Sequence, residues 1–116
     1  MVRKSKSDPA PVFPDVDVEV GVTEVSLKNG RSLTKQLGKP ALVVLTKKGM
    51  EWYTTAYWGD SCPSPRFKWE FNGFAWGYAG EGPKGLLTYL TELGVKTDIT
   101  KINRIQDKDL PYVIEI

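Results

Sequence analysis

The chain has 116 residues, 41% hydrophobic and 26% charged, and its 16 basic and 14 acidic side chains leave a net charge of +2. That is the size and makeup of one globular domain, and it lacks the basic excess usual in duplex nucleic-acid binders. There is no histidine and Cys62 is the only cysteine, which excludes Ser-His and Cys-His nucleophiles, an internal disulfide and a conventional structural zinc site.

Residues 1–16 read as an extended, proline-rich arm. Arg3, Lys4 and Lys6 precede Pro9, Pro11 and Pro14, which Asp8 and Asp15 flank. Proline at that density opposes both helix and ladder pairing. No apolar h-region follows the basic residues, so the start does not resemble a secretory signal. The longest apolar run, Ala41 to Leu45, is far too short to cross a bilayer. These features and the lone cysteine predict a cytoplasmic protein with no membrane partner.

Residues 17–116 are expected to form a single α+β domain. Val16 to Val20 alternates apolar and acidic residues, the period of a half-buried strand, and Val22, Val25 and Leu27 extend it loosely. Asn29-Gly30 is a tight-turn signal. Ser32 to Gly38 fits a short helical turn capped by Ser32 and stopped by Gly38, with strand as the alternative.

Ala41 to Leu45 predicts a buried strand, closed by Lys47-Lys48-Gly49 into a hairpin with Glu51 to Trp58. In that second strand Trp52, Thr54, Ala56 and Trp58 share one face, and Glu51, Tyr53, Thr55 and Tyr57 the other. After an irregular loop around Cys62, Phe67, Trp69 and Phe71 alternate with Arg66, Lys68 and Glu70 in an amphipathic strand. Asn72-Gly73 turns into a further strand, Phe74 to Tyr78. Leu86, Leu87, Leu90 and Leu93 keep a helical period, which places the principal helix at about 83–93 with Pro83 at its start and Gly94 as its stop. Val95 to Ile105 and Leu110 to Ile116 are expected to be two more strands, turning at Asp107 to Asp109. The sum is a mainly antiparallel sheet of about five to seven strands with one helix packed on a face.

Two regions are candidate sites. Tyr53, Tyr57, Arg66 and Lys68 combine the residue types enriched at interaction hot spots on one side of the sheet, and Phe13 would anchor the arm to a partner. Alternatively, the many aromatics simply build the core. The second region is Gly80-Glu81-Gly82-Pro83-Lys84-Gly85, where free N–H groups at a helix start, with Lys84 beside them, would hold an anion or nucleotide. Trp76 or Tyr78 would stack on the ligand. The stretch matches G-x-G-x-x-G, but the hairpins before it and the short remainder, residues 86–116, do not provide a dinucleotide-binding βαβ unit. Without a ligand, the same glycines would let strand and helix approach closely. Cys62 has no histidine to activate it and is expected to be incidental.

Phe74-x-Trp76-Gly77-Tyr78-x-Gly80-x-Gly82-Pro83, followed by Leu86-Leu87, resembles a signature in a family of uncharacterised small proteins of phages, plasmids and other bacterial mobile elements. Here Ala79 and Glu81 depart from the family's loop, and Glu81 would repel an anion. The resemblance covers residues 74–87 and implies an origin rather than a mechanism. Small proteins of that origin often dock onto larger host machinery, inhibitors of bacterial defence systems among them. The expected function is therefore a non-enzymatic binding protein without a cofactor, acting on a larger host protein or nucleoprotein. The alternative is a nucleotide- or anion-binding module using the glycine loop. An exposed strand edge would also allow a homodimer.

Overall fold

The computed structural model describes residues 21–59 and 67–116. Three helices, α1 (Thr23–Leu37), α2 (Glu81–Glu92) and α3 (Ile99–Asn103), accompany four strands, β1 (Leu42–Lys48), β2 (Glu51–Trp58), β3 (Phe67–Phe71) and β4 (Tyr112–Glu115). The strands form one antiparallel sheet in the order β3-β2-β1-β4. The α+β class agrees with the sequence reading; the described residues hold a sheet of four strands, not five to seven, and three α-helices in place of one principal helix.

The β1–β2 hairpin follows its sequence signal closely. Lys48 pairs with Glu51 across a Gly49-Met50 connection, and Gly49 has φ 61°, a left-handed conformation that suits a tight hairpin. Opposed residues share a face, so the register divides the sheet into two surfaces. Val43, Leu45, Thr54, Ala56, Trp58, Phe67, Trp69, Phe71 and Ile114 lie on the inner one. Leu33 of α1, Leu86, Tyr89 and Leu90 of α2 and Ile102 of α3 complete a single core against it. At its centre the rings of Phe71, Phe74 and Tyr89 lie 5.0 to 5.4 Å apart, within the range of favourable ring pairs.

Helix α1 replaces the strand and turn expected at Val22 to Gly30. Its buried residues, Ser26, Asn29, Gly30 and Leu33, do recur with helical spacing. Only one of them is a large apolar residue, so the apolar period that marks a helix is missing. Small size serves contact here. A Cβ at Gly30 would stand 2.8 Å from the Tyr89 ring, so glycine lets α1 and α2 approach closely. Ser26 Oγ accepts a bond of 2.9 Å from Gly73 N–H, and Thr23 Oγ1 donates to Gly73 C=O at 2.8 Å. The helix ends where expected, at Gly38 (φ 82°), whose N–H bonds Thr34 C=O; Ser32 sits inside the helix rather than capping it.

Two further expectations are corrected. Phe74 to Tyr78 forms no strand; it crosses from the sheet to the helical layer as irregular chain, burying Phe74, Ala75 and Trp76. Within Val95 to Ile105, α3 forms in place of a strand because the Asp98 carboxylate caps it, accepting from Lys101 N–H at 2.9 Å. Helix α2 begins at Glu81, two residues before Pro83; the proline still precedes Lys84, whose N–H bonds back to Gly80 C=O, so it stands where no helical N–H is needed. The arm, its boundary at residue 16, and the strand at Val16 to Val20 lie outside the described residues, as do Phe13, Cys62 and Arg66.

Candidate functional site

The outer face of the sheet carries two rows of side chains that run across all four strands. One is Glu115, Leu42, Tyr57 and Lys68; the other is Val113, Val44, Thr55 and Glu70. Tyr53 stands beside them, opposite Thr46. Leu42, Val44, Tyr53, Tyr57 and Val113 neither belong to the described core nor pack against it, while Thr55 between them is buried. The structure thus brings Tyr53, Tyr57 and Lys68 onto one surface, with Tyr57 and Lys68 directly opposed. Tyr53 and Tyr57 are half-buried and Lys68 is exposed.

Charges hold the tyrosine on this face. Tyr53 OH donates to Glu51 at 3.2 Å, and the Lys48 ammonium sits 5.3 Å from the centre of the Tyr53 ring. The hydrogen bond to the Glu51 carboxylate raises the Tyr53 phenol above its usual pKa, with partial desolvation and the negative charges of Glu51 and Glu70 adding to it. Lys48 and Lys68 stand among Glu51, Glu70 and Glu115, so the face is of mixed sign and gives no basic track for a phosphate backbone.

Sequence reasoning missed the aliphatic half of this surface. Leu42 and Val44 lie in a run that reads as buried on both sides, yet only Val43 and Leu45 face the core. Val113 reaches the face only through the pairing of β4 with β1, a contact between segments about seventy residues apart that no local pattern announces.

The glycine loop lies in the other layer. Trp76 is 2% exposed, so its ring presents no face to solvent, whereas Tyr78 is 43% exposed and packs on Trp52 with ring centres 5.5 Å apart. The Tyr78 ring lies against the start of α2. A Cβ at Gly80 would come within 2.8 Å of that ring, and one at Gly82 within 2.7 Å of Ala75 and 3.2 Å of the Tyr78 hydroxyl. A Cβ at Gly85 would collide with Thr23. Each of the three glycines therefore has a packing reason. Lys84 is exposed, and Glu81 places a negative charge in the first turn.

Among the described residues no three His, Cys, Asp or Glu side chains are grouped to hold a metal ion. No described helix is long and apolar enough to cross a membrane. Comparison of the chain with protein-family models, with curated proteins and with solved structures finds no match.

Proposed function

We propose that the protein is a non-catalytic binding protein that docks onto a larger protein through the outer face of its sheet. The observation that carries this is the pair of continuous rows across four strands, in which aliphatic and aromatic side chains have no core among the described residues to pack against. Tyr53 and Tyr57 are the anchors of the surface, and Lys48, Lys68, Glu70 and Glu115 form its charged rim, the arrangement usual at interfaces between proteins. The mixed sign of the rim favours a protein over a nucleic-acid partner. A host protein is the class of partner that the resemblance to mobile-element proteins implies.

The test is capture from bacterial lysate with the tagged full-length chain, followed by affinity measurement on the captured protein. Truncating a tyrosine anchor at an interface costs about 2 kcal/mol or more, so Tyr57→Ala should weaken binding by about thirtyfold while the circular dichroism spectrum stays unchanged. Undiminished binding by Tyr57→Ala and by Tyr53→Ala, or no captured protein, would overturn the proposal.

The alternative, an anion or nucleotide at the start of α2, has Lys84 in its favour and Glu81 against it. The packing roles of Gly80, Gly82 and Gly85 account for the loop without a ligand. A ligand at a hundredfold excess over its Kd would stabilise the fold by about 2.7 kcal/mol; the expected result with ATP, ADP and phosphate is an unchanged Tm. A rise abolished by Lys84→Ala would establish the alternative instead.

A further inference from the structure

β4 is one edge of the sheet, and the phase of its ladder is fixed by the 3.1 Å bond from Ile116 N–H to Ala41 C=O. Backbone groups alternate sides along an antiparallel strand. Tyr112, Ile114 and Ile116 therefore turn theirs toward β1, and Val113 and Glu115 turn theirs outward, where no strand of the described residues meets them. Natural edges are usually blunted by short length, charged side chains, proline, bulges or a covering element. β4 is short, follows Pro111 and carries Glu115, but it has no lysine and its four residues pair with β1 without a bulge. Instead it is apolar: Tyr112, Val113 and Ile116 are 41%, 55% and 38% exposed, three of the six exposed large hydrophobic residues of the described chain. Beside its inner side lies a cleft of about 220 Å³ floored by Leu86, Leu90 and Ile102.

We propose that β4 pairs antiparallel with β4 of a second copy about a two-fold axis perpendicular to the sheet, joining two four-stranded sheets into one of eight strands. Such an axis keeps inner and outer faces continuous, so only residues of the same face can oppose each other. With Ile114 opposite itself, Val113 opposes Glu115 of the second copy and Tyr112 opposes Ile116. Each Val113–Glu115 pair exchanges both backbone bonds, and the axis makes two such pairs. Tyr112 and Ile116 are then covered along the mouth of the cleft, Val113 is covered on the outer face beside Glu115 of the second copy, and no two carboxylates are opposed.

The test is sedimentation equilibrium of the full-length chain from about 10 μM to about 1 mM, the range in which small interfaces associate. The expected mass rises to twice the 13.0 kDa of one chain. Val113→Glu sets a new carboxylate against Glu115 and leaves the backbone bonds of the β1–β4 ladder in place, and should sediment at the mass of one chain throughout. Adding Glu115→Lys to Val113→Glu opposes the new carboxylate to a new ammonium, and should restore association. A wild-type chain that stays monomeric to about 1 mM overturns the proposal, as does a Val113→Glu variant that remains dimeric.

Discussion

Gly85 lies inside α2, where alanine ordinarily favours a helix over glycine by about 1 kcal/mol. Here a Cβ would collide with Thr23 Cγ2 and press on the Phe74 ring at 3.3 Å. Thr23 has little room to yield, because its hydroxyl is bonded to Gly73 C=O. Gly85→Ala should therefore destabilise the protein, by about 1–3 kcal/mol as for other overpacked sites, in chemical denaturation. Thr23→Ser removes the obstructing methyl and keeps the hydroxyl, so the double variant should recover part of that loss; strict additivity would contradict the account. Tyr53 makes a second prediction at this scale. The folded state favours its protonated form, so the stabilisation is fully present below the unfolded pKa of about 10 and disappears as pH rises through the raised folded value. The tyrosinate absorbance of Tyr53 should titrate above the ordinary range, and Glu51→Gln should bring it back down.

Among the elements, the hairpin and β3 were legible because alternation in Glu51 to Trp58 and in Phe67 to Phe71 matches the two faces of the sheet. α2 was legible through Leu86, Leu90 and Leu93, all buried, although Tyr89 on the same face was missed. α1 was not legible, because its inward stripe is Ser26, Asn29 and Gly30, residues whose local preference is for turns. What makes them helical is tertiary: Gly30 meets the Tyr89 ring, and Ser26 takes the N–H of Gly73. Ser26→Ala leaves that buried N–H without its side-chain acceptor and should cost about 1–3 kcal/mol, read as a lower denaturation midpoint. An unchanged midpoint would mean that the contact between α1 and the end of β3 matters little. Of the candidate site, Tyr53, Tyr57 and Lys68 were legible from strand alternation alone. Their aliphatic neighbours depend on the β1–β4 register and were not.

At the scale of the whole molecule the described fold has two layers, with its helices and core on one side of the sheet and a mixed aromatic, aliphatic and charged surface on the other. A face of that composition with no core against it is how a small sheet presents a docking surface. The glycine loop, by contrast, is accounted for by the close approach of α2 to Ala75, Tyr78 and Thr23. The central claim is that the outer face meets the partner, and photocrosslinking tests it most directly. A benzophenone side chain introduced at Tyr57, and in a second sample at Lys84, is irradiated in bacterial lysate and its adducts are identified by mass spectrometry. The account predicts one dominant larger protein joined at Tyr57 and none at Lys84; adducts at Lys84 with none at Tyr57 would contradict it.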